Sequence, residues 1–296
     1  MPHGKTYLIT GGAGFIGSAL VRQLISETDV RVVNVDTLSY AGHPARLASV
    51  QDSPRYRFEQ LDIRDQEAIE RLLDEERPDG VFHLAAESHV DRSIDGPEQF
   101  ALSNTLGTLR LLEAARRYWQ GLPATERGAF RFVNVSTDEV YGSLGPTGKF
   151  TEATAYAPRS PYSASKAGAD HFASAYFETY GLPTITTHAS NNYGPFQFPE
   201  KLLPLALMRA LANEPVPLYG DGSNVRDWLH VDDHARGLQL VMAAGTPGST
   251  YLMGGDNELT NASVLDALLG VLNELAPGER DYRELITFVT DRPGHD

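Results

Sequence analysis

Through the first two thirds of the chain, short apolar runs with little polar alternation take turns with longer stretches whose apolar residues recur at helical spacing. Runs such as YLIT, RVVNV, VFHLA and FRFVNVS predict strands at Thr6–Thr10, Arg31–Val35, Tyr56–Gln60, Gly80–Leu84, Phe130–Ser136 and Pro183–Ala189. Strands without alternation are those covered on both faces. Helical spacing predicts helices over Phe15–Ser26, Gln66–Glu76, Gln99–Tyr118 and Tyr162–Tyr180. Pro97 suits a first turn at the entry of the third. Asp65 is placed to cap the second, whose apolar stripe is Ala68, Ile69, Leu72 and Leu73. Repeated β-α-β units make this an α/β chain with a doubly wound parallel sheet. After about Ser190, loops rich in Pro, Gly and Asn separate shorter elements, among them helices near Leu203–Ala212 and Ala262–Leu275. A smaller, irregular C-terminal lobe is expected there, dividing the chain into residues 1–190 and 191–296 with an interleaved boundary.

Composition narrows the partners. Lys and Arg number 25 against 39 Asp and Glu, a net charge of −14 in 296 residues. Such a surface repels phosphate backbones, so no nucleic-acid partner is expected. The sequence has no cysteine, which excludes disulfides, zinc–thiolate sites, iron–sulfur clusters and a thiol nucleophile; no metal is assigned. No apolar run approaches the roughly 20 residues of a membrane helix. Even Leu202–Leu218 is interrupted by Arg209, Asn213 and Glu214. A soluble, cytoplasmic chain is the expectation.

TGGAGFIG follows the first strand and spaces Gly11, Gly14 and Gly17 as G-x-x-G-x-x-G. There a strand must turn sharply into a helix while a pyrophosphate approaches backbone N–H groups, and side chains would obstruct both. Asp36 ends the next strand, 19 residues beyond Gly17. Its carboxylate can accept hydrogen bonds from ribose hydroxyls and would repel a 2′-phosphate, and no arginine follows directly in DTLSY. The pattern predicts a Rossmann-type fold binding NAD rather than NADP. Asp62, after the third strand, reads either as an adenine contact or as a simple helix-leading aspartate.

Tyr162 and Lys166 form Y-x-x-x-K on one face at the start of a helix. A nearby ammonium favours tyrosinate, and lowering a phenol from about 10 to neutrality takes roughly 4 kcal/mol. Elsewhere such a pair is a surface pair; after a dinucleotide fold it reads as an oxidation site. STDEVYG ends the fifth strand, at the sheet edge where open α/β folds bind ligands. Thr137 can hydrogen-bond a substrate oxygen. Asp138 and Glu139 read either as a solvated turn or, beside a hydride-transfer site, as an acid and a base with separated pKa values.

With these residues in place, the chain resembles the extended short-chain dehydrogenase/reductases, and within them the family of dTDP-glucose 4,6-dehydratases. The resemblance also rests on HLAAESHVDRSI (His83–Ile94), YSASKAG (Tyr162–Gly168), SNNYGPFQFPEKLLP (Ser190–Pro204), GDGSNVRDWLHVDDH (Gly220–His234) and the closing DRPGHD. It implies dehydration of dTDP-glucose to dTDP-4-keto-6-deoxyglucose, a hydro-lyase reaction. Tyr162 would take the C4 hydroxyl proton as the C4 hydride leaves. Glu139 would remove the C5 hydrogen and Asp138 would protonate the departing C6 hydroxyl, with the hydride then returned to C6. Lys166 would also hold the nicotinamide ribose.

The same resemblance places Phe15, Ile16, Asp36, Thr37, Leu38, Ser39, Asp62 and Ile63 on the NAD side. Leu84, Ala85, Ala86, Glu87, Ser103 and Asn192 join them. Ser88, Asn191, Lys201, Leu202, Pro217, Leu218, Tyr219, Arg226 and Asn261 fall on the sugar-nucleotide side, with Asp291, Arg292, Pro293, Gly294 and His295. Lys201 and Arg226 suit a diphosphate, one as a point charge and one as a fork. Plainer readings stand beside these: Asn191-Asn192 as turn formers, GDGSN as a hairpin turn, Arg226 in a surface ion pair. A homodimer is implied, packed through Gln99–Tyr118 and Tyr162–Tyr180.

Three departures from the family pattern stand out. Ser103 replaces threonine, His188-Ala189 replaces Arg-Cys, and the chain stops at DRPGHD where relatives continue, so part of the substrate lobe is expected to be absent. A UDP-glucose 4,6-dehydratase, a sugar-nucleotide 4-epimerase and a uronate decarboxylase share much of the pattern. The epimerase needs no acid and base for C5 and C6. An inactive dinucleotide-sensing protein is the non-enzyme alternative, and it has no need to keep Thr137, Tyr162 and Lys166 together.

Overall fold

The computed structural model describes residues 4–144 and 147–290. β1 (Thr6–Thr10) turns into α1 (Phe15–Glu27), followed by β2 (Arg31–Asp36), β3 (Tyr56–Gln60), α2 (Gln66–Glu76) and β4 (Gly80–His83). Asp65 caps α2, accepting from the Ala68 amide at 3.1 Å. Ile69, Leu72 and Leu73 are its buried stripe, and Ala68 is half-buried.

The single helix expected over Gln99–Tyr118 is instead assembled from pieces. After α3 (Val90–Asp95) come α4 (Pro97–Phe100), a π-helical stretch at Ala101–Leu106, and α5 (Gly107–Gly121). Pro97 does open a first turn. The widened stretch coincides with side-chain bonds that leave the helix. Asn104 accepts from the Glu87 amide at 2.8 Å and donates to the Glu87 carbonyl at 3.0 Å and Ser165 Oγ at 2.9 Å. Thr105 donates to the Ser165 carbonyl at 2.9 Å. Such local widening often marks functional positions, and hydrophobic period alone does not reveal it.

α6 (Ala124–Ala129), β5 (Arg131–Thr137), α7 (Pro161–Tyr180) and β6 (Thr184–Ala189) follow. The later elements are β7 (Asn191–Tyr193), α8 (Leu202–Leu211), β8 (Val216–Tyr219), β9 (Val225–His230), α9 (Val231–Ala244) and β10 (Thr250–Met253). The chain then forms β11 (Glu258–Thr260), α10 (Asn261–Leu275) and β12 (Ile286–Val289).

Two compact units result: residues to Ala189 with Val231–Met253, and Ser190–His230 with the chain from Gly254 on. The first holds a seven-stranded sheet in the order β10-β6-β5-β4-β1-β2-β3, with every pairing parallel. Leu20, Leu24, Leu238 and Phe82 belong to one buried cluster. Leu8, Leu73, Leu111 and Phe132 belong to the other. Both faces are therefore covered, as the unalternating strands require. Val231–Met253 supplies α9, which packs against α1, and β10, which extends the sheet beside β6.

The second unit has a three-stranded sheet, β11-β9-β7, and a pair, β12-β8. Its core includes Ala206, Ala210, Val216, Leu218, Leu265 and Leu269. β8 and β9 lie in different sheets, so GDGSN is a connection between sheets and not the hairpin turn considered above. Among the described residues, no helix is long and apolar enough to cross a membrane.

His83, at the end of β4, is the buried joint between the first strands and α5. Its Nδ1 lies 2.7 Å from Thr10 Oγ1, and its Nε2 lies 2.8 Å from Thr108 Oγ1. Thr108 donates onward to the Asn104 carbonyl, so its hydroxyl is left to accept from His83 Nε2–H. The ring is thus neutral with both nitrogens bonded. Burial, with the Lys166 charge adding to it, pulls His83 down to about 3, and burial takes His234 to about 4. Below about 6.5 the unfolded chain binds protons at these rings that the folded chain refuses, so stability falls as pH drops. Each ring contributes a slope of up to about 1.4 kcal/mol per pH unit between its unfolded and folded values. Urea titrations should give a lower midpoint at pH 5 than at pH 7, with a smaller difference in His83→Gln. Equal differences in the two proteins would show that His83 titrates normally in the fold.

Candidate active site

The first turn of the sheet is built from glycines for reasons internal to the chain. Gly11 has φ +75°, and a Cβ there would stand 2.6 Å from the Ala85 amide nitrogen. At Gly17 a Cβ would stand 2.2 Å from the Gly11 carbonyl oxygen. These two positions are closed to larger residues by the protein's own backbone. Gly14 is the N-cap of α1, without a side-chain cap and with no acidic residue in the first turn. A helix N-terminus left in that condition suits a diphosphate. Phe15 and Ile16, in the first turn, pack partly buried against the core.

Asp36 is buried at the end of β2. Its Oδ2 accepts from the Ala13 amide at 3.0 Å and its Oδ1 from Leu38 at 2.8 Å. Burial pushes its carboxyl up, against those two bonds and the nearby Arg46 charge. Leu38 sits at φ +56°, a strained conformation for a non-glycine residue, with Thr37 and Ser39 on either side. No arginine follows Asp36 directly, but the fold brings Arg46 back to the same loop. Its Nη1 donates to the Ala13 carbonyl at 3.0 Å and also to Ala41. Asp36 and Arg46 therefore hold Ala13 by its amide and its carbonyl.

Leu84, Ala85, Ala86, Glu87 and Ser88 leave the carboxyl end of β4. The Ala85 amide donates to Thr10 Oγ1 at 3.3 Å. Ile63 is buried, and Ser103 accepts from Gln99 at 3.0 Å. Asp62 receives a fork from Arg64, at 3.0 Å from Nε and 2.6 Å from Nη2. Its carboxylate is engaged within its own loop.

Thr137, Asp138 and Glu139 stand where β5 gives way to a single 3₁₀ turn, Asp138–Tyr141. Thr137 accepts from the Glu139 amide at 3.3 Å, and the two carboxylates are half-buried. Ser160 and Ser163 form a reciprocal capping box at the start of α7, with Pro161 in its first turn. Tyr162 follows at once. Its ring meets Phe100 edge-on at 6.3 Å. The ring is half-buried, but its hydroxyl end is crowded by protein.

Lost hydration, and then the Glu139, Asp138 and Asp170 carboxylates, push the phenol above the ordinary tyrosine value. A hydrogen bond with Thr137 works against them. Lys166 is buried and donates to the Val135 carbonyl at 2.9 Å. Its own burial pulls its pKa down while Asp170 holds it up. The expectation that Lys166 draws Tyr162 down is thus corrected for the protein alone. Lost hydration and the carboxylates hold the phenol up, and the ammonium is turned to a backbone carbonyl.

Sequence reasoning singled out His188 as a departure but missed the rest of what lies behind this row. Asp170 accepts from Asn134 Nδ2 at 2.8 Å and Ser136 Oγ at 2.7 Å. His188 Nε2 lies 3.1 Å from its Oδ2 and 3.0 Å from the Tyr156 hydroxyl. His188 Nδ1 lies 2.8 Å from the Tyr141 hydroxyl. Spacing held one signal: Tyr162, Lys166 and Asp170 follow at i, i+4 and i+8.

In the second unit, Asn191 and Asn192 are in β7, and Asn192 donates to the Ser190 carbonyl at 2.9 Å. Lys201 is the N-cap of α8, which Leu202 begins. Pro217, Leu218 and Tyr219 pair with Thr287, Phe288 and Val289. Arg226, on β9, donates to the Val225 carbonyl at 3.1 Å and pairs across to Leu259. Asn261 opens α10, its amide donating to the Asn224 carbonyl at 3.0 Å. Asp291, Arg292, Pro293, Gly294 and His295 lie outside the described residues.

Comparison with known proteins follows the same lines. A family model described as GDP-mannose 4,6 dehydratase matches residues 8–296. The dTDP-glucose 4,6-dehydratase of Neisseria meningitidis serogroup B is 56% identical over 297 residues, 99% of this chain and 84% of that protein. The DesIV dTDP-glucose 4,6-dehydratase of Streptomyces venezuelae, solved with NAD and dTDP bound, superposes with a TM-score of 0.89 at 47% identity, covering 98% of this chain and 86% of that one. A UDP-glucose 4-epimerase from Thermus thermophilus, solved with NAD, reaches 0.84 at 32% identity over 98% of this chain and 88% of its own. The architecture is thus common to dehydratases and epimerases, while sequence identity separates them. By that identity the chain belongs to the dTDP-glucose 4,6-dehydratase family of the extended short-chain dehydrogenase/reductases.

Proposed function

We propose that this protein is an NAD-dependent hydro-lyase that converts dTDP-glucose to dTDP-4-keto-6-deoxyglucose. The observation that carries the reading is that Thr137 hydrogen-bonds the Tyr162 phenol while the Glu139 and Asp138 carboxylates act on it electrostatically. A 4-epimerase, which shares the fold, has no step that calls for an acid and a base at neighbouring carbons.

The first unit fits a dinucleotide. The uncapped N-terminus of α1 suits the diphosphate. Each Asp36 oxygen, holding one backbone bond, keeps a lone pair for a ribose hydroxyl. When bound, NAD supplies the acceptor and later donor of the sugar's hydride, and a positive ring charge of the sign that favours tyrosinate. Tyr162 takes the C4 hydroxyl proton, with Thr137 bonded to the same oxygen. The resulting ketone acidifies C5–H, which Glu139 removes. Asp138 gives its proton to the departing C6 hydroxyl, and water leaves. Glu139 then returns a proton to C5 as C6 is reduced. Lys201 and Arg226 are read as diphosphate partners on the second unit, with Tyr219 and Asn261 on the same nucleotide side. We further read the protein as a cytoplasmic homodimer that pairs through α5 and α7.

Incubation with NAD and dTDP-glucose should yield a product lighter by one water, and faster than with UDP-glucose. A 4-epimer without water loss would overturn the dehydratase reading, and a faster UDP reaction would overturn the nucleotide. Tyr162→Phe should lose C4 oxidation, seen as no NADH in a single turnover. Asp138→Asn and Glu139→Gln should each slow water loss about a hundredfold or more while NADH still forms. Wild-type dehydration in both carboxyl variants would remove them from the acid–base role.

A further inference from the structure

Asp170 is the most deeply buried carboxylate among the described residues, at 3% exposure against 8% for Asp36 and 9% for Glu76. Nothing in the reaction drawn above uses it. Its oxygens are nonetheless fully committed. Oδ1 takes the Asn134 amide at 2.8 Å, and Oδ2 takes the Ser136 hydroxyl at 2.7 Å, with Tyr156 at 3.4 Å and His188 at 3.1 Å. Ser136 directly precedes Thr137-Asp138-Glu139, and Tyr141, bonded to the far side of His188, closes the same turn. One carboxylate therefore holds the acid–base segment from both ends.

The charge of Asp170 needs a partner. His188 can satisfy every neighbour while neutral, donating from Nε2 and accepting the Tyr141 hydroxyl at Nδ1. Lys166 stands one turn back on the same buried face of α7, about 6 Å along the axis, and its Nζ meets the Val135 carbonyl. We propose that Asp170 is a positioning residue, the buried counter-charge that keeps Lys166 an ammonium and ties the Tyr162–Lys166 row to the end of β5. This deepens the dehydratase reading and rests on it for the role of Lys166.

Other groups bear on Lys166 from each packed element. β4 brings His83, held neutral by its two threonines. α7 brings Tyr162, and Asp138 and Glu139 follow β5. His188 on β6 stands with Tyr156 and Tyr141 behind Asp170. Burial opposes the lysine charge, and Asp170 opposes that effect. Its carboxylate also disfavours ionisation of Tyr162. Neutralising Asp170 should therefore lower both groups.

The sequence contains four lysines, Lys5, Lys149, Lys166 and Lys201, so the free protein labelled with carbon-13 at the lysine ε-carbon gives four signals. Lys166→Met identifies the one to follow. In Asp170→Asn its titration midpoint should fall by about one pH unit or more. Both limbs of the pH profile for single-turnover NADH formation should move the same way. Ser136→Ala removes a hydrogen bond but leaves the carboxylate, and its midpoint should stay at the wild-type value. An unmoved midpoint in Asp170→Asn, or an equal fall in Ser136→Ala, overturns the proposal. If Asp170→Asn does not fold, His188→Arg sets a permanent cation against the same carboxylate. The Lys166 midpoint must then fall, and its constancy would be equally decisive. The lysine titration needs no substrate, so it separates failure of this idea from failure of the dehydratase reading.

Discussion

A carboxylate taken out of water is tolerated only where donors surround it, and Asp170 meets that condition by joining three pieces of chain. Asn134 and Ser136 come from β5, His188 from β6 and Tyr156 from the segment between. Each of these bonds would leave a costly unpaired group if α7 shifted along the sheet. The helix carrying Tyr162 and Lys166 is thereby locked in register with the strand that ends in Thr137. The placement of Tyr162 and Lys166 against the Thr137 end of β5 follows from that lock.

A second convergence lies at the neighbouring strand ends. Parallel strands bring Thr10, His83 and Asn134 into register across β1, β4 and β5. Thr10 and His83 are then linked by hydrogen bonds to Thr108 and Asn104. Asn104 in turn clamps Glu87 and Ser165 from within a π-helical stretch. The chain from β4 and the helix bearing Tyr162 are thus held by one amide side chain. Helical regularity is given up locally for that contact, an exchange frequent near reacting groups.

Charge is handled differently at the two ends of the first unit. Around Asp36, backbone amides and Arg46 support a carboxylate against its burial. Around Tyr162, the neighbouring carboxylates resist ionisation of the phenol. The cofactor side is therefore set up for a standing negative charge, while the phenol keeps its proton in the protein alone. A phenol in that state responds to a positive charge brought from outside.

Much of this was legible in the chain itself, because the signals are local. Unalternating strands, glycines at a turn, a capped helix, and a tyrosine four residues before a lysine all act through nearest neighbours or one helical turn. Those features determined the α/β class and pointed to a dinucleotide turn at Gly11–Gly17 and to Thr137, Asp138, Glu139, Tyr162 and Lys166 as the candidate reacting residues. What only the tertiary structure decided depends on residues far apart in sequence. The return of Val231–Met253 to the first sheet has no local mark, since one helix and one strand could belong to either unit. Arg46 reaches the Asp36 loop, Asn104 widens its helix to reach Glu87 and Ser165, and His188 meets Asp170 across the sheet. Such pairings depend on which buried polar groups find each other when strands and helices pack. Hydrophobic spacing records that a position is inside, but not which donor waits there.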